Sequence, residues 1–145
     1  IYDTPAVAEV RRLTGIPTAR TVGSVKAVED ALVLDAADAF NIGNLWNERL
    51  ELSEMLDNAH MPYWIGSGME TGLMDLASAH FAATQPACTI GSDLVGNLFR
   101  EDDLLIEPIQ FEGGHLVLPE GPGRGIKTDE DAIERYRVGD PTVVE

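Results

Sequence analysis

The chain has 145 residues, 44% of them apolar, with 10 basic and 25 acidic residues and a formal charge of −15 at pH 7. That composition suits a packed core rather than a disordered chain, and the charge disfavours nucleic acid and anionic membranes, which repel a polyanion. One cysteine, Cys88, excludes an internal disulfide, and no apolar run approaches the roughly 18–20 residues of a membrane span, so a cytoplasmic location is expected.

In chain order, Ile1-Tyr2-Asp3-Thr4-Pro5 reads as a strand end running straight into a helix, so the chain is expected to begin inside a longer protein. Four short apolar stretches follow: Ile16 to Val22, Ala39 to Ile42, Pro62 to Ile65 and Cys88 to Ile90. Their starts lie roughly 22–26 residues apart, a spacing that suits compact repeated βα units. Between them the periodicity is helical. Val25, Val28 and Leu32 line one face; Leu52, Met55, Leu56 and Ala59 line another; Leu73, Leu76, Ala77 and His80 line a third, in the longest helix. Each strand-like stretch ends in small or polar residues: Gly23-Ser24, Gly43-Asn44, Gly66-Ser67-Gly68 and Gly91-Ser92-Asp93. Glycine lets the chain turn there, and Ser or Asp can cap the next helix.

Alternating strands and helices predict a parallel sheet whose chemistry sits at the C-terminal strand ends. Four such units do not close an eight-stranded barrel, which leaves an open doubly wound sheet or half of a barrel. The abrupt start and the changed character of the tail favour the half barrel. The expected class is therefore α/β, the C-terminal half of a TIM-type barrel with a hairpin tail: residues 1–100 form barrel units and residues 101–145 the tail. In that tail Leu104 to Gln110 and His115 to Pro119 read as extended pieces around the turn Gly113-Gly114, and Thr128 or Asp129 starts a short helix through Tyr136. The tail holds 12 acidic and 4 basic residues, a net of −8.

Several phrases together resemble the mandelate racemase and muconate lactonizing branch of the enolase superfamily. Ile65-Gly-Ser-Gly-Met-Glu-Thr-Gly72 and the helix after it are similar to the seventh-strand motif, and Ser92-Asp-Leu-Val-Gly96 to the eighth-strand motif. Asp103 to Gly125 resembles the tail that packs on an N-terminal capping domain in that branch, and Gly15-Ile-Pro17 with Ser24 to Leu32 resembles the segments flanking the fifth strand. The resemblance implies that the capping domain and the first half of the barrel are missing here. It also implies an enzyme that removes the proton α to the carboxylate of a small organic acid. Magnesium would stabilise the enediolate, and racemisation, cycloisomerisation or dehydration would follow. A homo-oligomer is expected.

Carried over residue by residue, the resemblance places Asp3 as a metal ligand and Asn41, Ser67, Glu70 and Asp93 as substrate-binding residues. The fifth strand of relatives ends in Asp-Glu-Ser; here Thr21-Val-Gly-Ser24 stands in its place, with no carboxylate from Thr18 to Ala27. The sixth strand of relatives reads Asn-x-Lys; here Asn41-Ile-Gly43 keeps the Asn and puts Gly43 where the lysine is expected, so no catalytic residue is assigned. A barrel homologue that lost metal binding and serves as a binding or subunit scaffold is the alternative.

Plainer readings stand beside these. Glu70 suits the N-terminus of a helix as well as a pocket, and Asp93 suits a turn cap as well as a substrate contact. Relatives that epimerise dipeptides carry Asp-x-Asp there; Asp93-Leu-Val95 lacks the second acid. His80 reads as core, His60 as structural at the far end of the strands, and His115 as part of the tail hairpin. Cys88 reads as buried and inert. No His/Cys spacing suits zinc, Ile65 breaks the Gly-x-Ser-x-Gly pattern around Ser67, and Gly121 to Gly125 is not a phosphate loop.

Overall fold

A computed structural model describes residues 4–43 and 47–140. It consists of two compact units: Ile1–Gly68 with Phe81–Leu94, and Met69–His80 with Val95–Glu145.

The first unit opens with α1 (Thr4–Thr14), then alternates β1 (Ala19–Thr21), α2 (Val25–Val33), β2 (Ala39–Asn41), α3 (Arg49–Asn58) and β3 (Tyr63–Trp64). The three strands pair in parallel in the order β1-β2-β3, with Arg20, Phe40 and Tyr63 in register on one row and Thr21, Asn41 and Trp64 on the next. Because side chains alternate along a strand, the two rows face opposite sides. Phe40 and Tyr63 are fully buried, as are Val28 of α2 and Leu52 and Leu56 of α3. Each such side chain contributes about 1.5–3 kcal/mol of burial, which fixes this face as the covered one. The row of Thr21, Asn41 and Trp64 is more open: Thr21 is exposed and the other two half-buried.

Helix starts follow the expected chemistry. Ser24 caps α2 by accepting from the Ala27 amide at 3.2 Å. The stretch Cys88 to Ile90 lies beside β3 but is not a regular strand. Tyr63 N–H donates to the Ala87 carbonyl and Ile90 N–H donates to the Tyr63 carbonyl, while Thr89 N–H folds back onto Ala87 O at 2.9 Å. That tight turn inserts an extra residue into the ladder and stops regular pairing. Cys88 is half-buried rather than buried, and desolvation pushes its thiol up from the usual range.

Arg11 of α1 forms a fork with Asp38, just before β2, donating from Nε to Oδ2 at 3.0 Å, and Thr18 N–H reaches the same oxygen at 2.7 Å. The Arg11 guanidinium, with the Thr18 amide second, pulls the Asp38 carboxyl from 3.8 down to about 2. A depressed folded-state value adds stability that is present above pH 3.8 and lost as pH falls towards 2. Asp38→Asn in the intact protein is therefore expected to lower the melting temperature at pH 7, and the gap from the native protein should close as pH falls towards 2. A gap that persisted unchanged at pH 2 would assign the loss to packing instead.

The second unit holds most of α4 (Gly72–Ala83), a 3-10 turn at Gly96–Phe99, the hairpin of β4 (Phe111–Glu112) and β5 (His115–Leu116), and α5 (Glu130–Tyr136). The hairpin turns through Gly113 and Gly114, both at positive φ, as the Gly-Gly pair predicts. Asp129 caps α5 by accepting from the Asp131 and Ala132 amides. The buried residues of α4 are Gly72, Asp75, Leu76, Ser78 and Ala79, a face rotated from the expected one. Gly72 is the reason: Asp103 caps the helix at its amide, and a Cβ there would lie 2.9 Å from Leu105. His80 accordingly sits half-buried, with Nε2 3.2 Å from the Arg124 carbonyl oxygen, rather than in the core.

Candidate functional site

In the first unit the C-terminal ends of β1, β2 and β3 carry the positions singled out in the sequence. Asn41 closes β2, half-buried, and its Oδ1 accepts from the Gly43 amide at 2.9 Å. The amide lies against the end of β3, where a Cβ at Gly66 would stand 2.4 Å from Asn41 Oδ1 and 2.6 Å from Nδ2. A side chain at Gly66 would thus displace the Asn41 amide from this position. Ser92 Oγ accepts from the Ile65 amide at 3.0 Å, which draws residues 92–93 to the same strand end. Asn41, Gly66 and Ser92 are therefore neighbours; Ser67 is half-buried and Asp93 exposed beside them.

Two residues that the sequence reading passed over organise this end. Arg49, fully buried at the start of α3, donates from Nη2 to the Gly43 carbonyl at 2.7 Å and stacks its guanidinium 5.5 Å from the Phe81 ring centroid. A signal for it existed: Arg49, Leu52, Ser53 and Leu56 share the i, i+3, i+4, i+7 stripe that α3 buries. Glu48 reaches back 23 residues to accept from the Val25 amide at 3.2 Å, at the mouth of β1. No local pattern announces that contact.

Glu70 belongs to the second unit, two residues before α4, so it precedes the helix rather than opening it. Its neighbour Met69 has φ +65, a left-handed conformation that costs a non-glycine residue about 1 kcal/mol. Arg100 holds this turn, donating to the Met69 and Glu70 carbonyls. Asp75 is fully buried and accepts from the Asn97 amide at 2.9 Å. Desolvation, with smaller repulsion from Glu70 and Asp103, pushes its carboxyl above the usual range.

Magnesium takes oxygen ligands and prefers carboxylates. The ends of β1 and β2 offer Thr21, Ser24 and Asn41, all neutral; the Asp93 carboxylate stands exposed beside Asn41, and the nearby Glu48 is engaged by the Val25 amide. Among the described residues no three His, Cys, Asp or Glu side chains group so as to hold a metal. By themselves the described residues do not complete a site for a divalent cation. Asp3, the expected ligand, lies outside the described residues, as does Asn44. No helix among the described residues is long and apolar enough to cross a membrane.

Parallel βα units with their polar positions gathered at the C-terminal strand ends define an α/β-barrel type of domain. The match to known proteins is more specific. The family described as enolase C-terminal domain-like matches residues 2–132, and the chain belongs to it, in the mandelate racemase and muconate lactonizing branch. Muconate cycloisomerase 1 of Rhodococcus opacus is 32% identical over 138 residues, covering 90% of this chain and 36% of that protein. N-succinylamino acid racemase of an Amycolatopsis species is 30% identical over 110 residues, covering 73% of this chain and 30% of that protein. The N-succinyl Arg/Lys racemase structure from Bacillus cereus ATCC 14579 superposes with a TM-score of 0.86 at 24% identity, over 94% of this chain and 38% of that one. The chain thus corresponds to the C-terminal barrel portion of such enzymes and spans about a third of the length of the curated relatives it matches.

Proposed function

We propose that the intact protein is an isomerase of the cycloisomerase or racemase kind, acting on a small organic carboxylate, and that this chain supplies part of the wall that binds and orients it. The observation that carries this reading is the register of Thr21, Asn41 and Trp64 at the strand ends, in a chain aligned over 90% of its length with a muconate cycloisomerase. Asn41, Ser67, Glu70 and Asp93 are the residues assigned to substrate. Thr21, Asn41 and Trp64 do not titrate near neutral pH, and the lysine position is Gly43, so the proton at the reacting carbon is moved by a group outside these strand ends. A cytoplasmic homo-oligomer that meets neither nucleic acid nor membrane accords with the acidic composition.

The test is to incubate the intact protein with muconate and with N-succinyl amino acids in D₂O, following lactone formation and deuterium uptake at the α-carbon by NMR. Turnover of one class is expected, and Asn41→Ala should lower kcat/KM about tenfold or more by removing a substrate contact. Turnover of neither would remove the enzyme reading and leave the second one, a non-catalytic barrel used as a binding or subunit scaffold. Gly43 in the lysine position is the observation that favours it.

A further inference from the structure

We infer that Asp75, buried in the first turn of α4, is a positioning residue for Glu70: it anchors the 3-10 turn at Gly96–Phe99, and that turn holds the Glu70 backbone in place. This rests on the reading that Glu70 contacts the substrate. All the contacts involved lie within the second unit. Asp75 Oδ2 accepts from the Asn97 amide at 2.9 Å, across 22 residues of sequence. The next link is steric. Gly96 lies so close to Glu70 that a Cβ there would stand 2.4 Å from the Glu70 carbonyl oxygen and 2.5 Å from its nitrogen. The last link is Arg100, directly after the turn, which donates to the Met69 carbonyl from Nη2 and to the Glu70 carbonyl from Nε. The Met69–Glu70 segment is thus pressed by one end of the turn and hydrogen-bonded from the other.

Two features of this clasp work against stability. Met69 is held at φ +65, a conformation that a non-glycine residue leaves unless its surroundings confine it. Asp75 shares the buried face of α4 with Leu76 and Ala79, yet it forms no ion pair among the described residues, and its Oδ1 has no hydrogen-bond partner there. Burial pushes its carboxyl above the usual range; the Asn97 amide opposes that shift, and repulsion from Glu70 and Asp103 adds to it. An apolar side chain would fill the same place at lower cost. What it would lack is the oxygen that receives the Asn97 amide, and with it the tie from α4 to the turn.

Hydrogen–deuterium exchange of the intact protein, read by mass spectrometry, tests the hold on Glu70. Asp75→Leu and Asp75→Ala both remove the acceptor, the first filling the site and the second leaving room. In each, exchange across residues 96–100 and 69–72 is expected to rise about tenfold or more, with residues 39–41 of β2 unchanged. Asp75→Asn keeps an oxygen for the Asn97 amide and should stay within about threefold of the native protein. Unchanged exchange at 69–72, a rise shared equally by β2, or exchange in Asp75→Asn as fast as in Asp75→Leu overturns the inference. A double-mutant cycle supplies the functional arm, on whichever of muconate and N-succinyl amino acids the intact protein turns over. Glu70→Gln and Asp75→Ala should each lower kcat/KM about tenfold, and the double variant should lie within about twofold of Glu70→Gln alone. Additive losses overturn the inference, because Asp75 would then act other than through Glu70. The underlying readings fail separately. Full activity in Glu70→Gln removes its assignment to substrate and leaves the hold on the segment, whereas turnover of neither substrate removes the enzyme reading and leaves exchange to decide whether Asp75 holds Glu70.

Discussion

Replacing Gly96 with alanine is expected to cost the intact protein about 3 kcal/mol of stability, among the largest effects of any single methyl group in this chain. A Cβ at that position would stand 2.4 Å from the Glu70 carbonyl oxygen, 2.5 Å from the Glu70 nitrogen and 2.9 Å from the Met69 carbonyl carbon. All three are backbone atoms, so no side chain can swing aside. The segment that would have to yield is already strained at Met69 and held by Arg100. Urea unfolding followed by circular dichroism measures the loss, with Gly91→Ala as the control. A Cβ at Gly91 meets nothing within 4 Å, and that substitution should change stability by less than about 0.5 kcal/mol. Equal midpoints for the two variants would show that the Met69–Glu70 turn moves freely away from Gly96. Because Glu70 is one of the residues assigned to substrate, Gly96→Ala is also expected to lower activity in whatever fraction remains folded.

Arg49→Ala is expected to cost about 3 kcal/mol as well, for a different reason. The side chain is fully buried, so its removal leaves a cavity beneath Phe81 and strips the Gly43 carbonyl of a charge-assisted hydrogen bond. Arg49→Lys separates charge from shape. A lysine keeps the positive charge but cannot stack a planar guanidinium on the Phe81 ring while donating to Gly43, so it should recover less than half of the lost stability. Chemical denaturation of the three proteins side by side reads this directly. Full recovery by lysine would mean that charge alone is needed at this position.

Positions 23 and 43, at the mouths of β1 and β2, have room for a side chain. A Cβ at Gly23 meets nothing within 4 Å, and one at Gly43 meets only Asn41 Oδ1 at 3.7 Å, so neither glycine is demanded by local packing. Core residues such as Phe40, Leu52 and Ile65 face the covered side of the sheet and are indifferent to what stands at the strand mouths.

What the sequence determined by itself was the set of elements: the apolar runs that became β1 to β3, the 3.6-residue periodicity of the helices, Ser24 and Asp129 as caps, and Gly113-Gly114 as the hairpin turn. These are local matters, decided by steric preference and by contacts within a few residues, so they are written where they act. The family was legible too, because its motifs are contiguous phrases at the strand ends. Tertiary structure alone decided the rest. The buried face of α4 was set by Asp103, 31 residues away, and the break in pairing at Cys88–Ile90 by a turn against Tyr63. It also gave the buried Arg49 its partners, the Gly43 carbonyl and the Phe81 ring, and turned the Asn41 oxygen to the Gly43 amide. Each of these depends on a partner brought near by chain closure, and the cost and geometry of that closure are properties of the whole fold rather than of any short stretch of sequence.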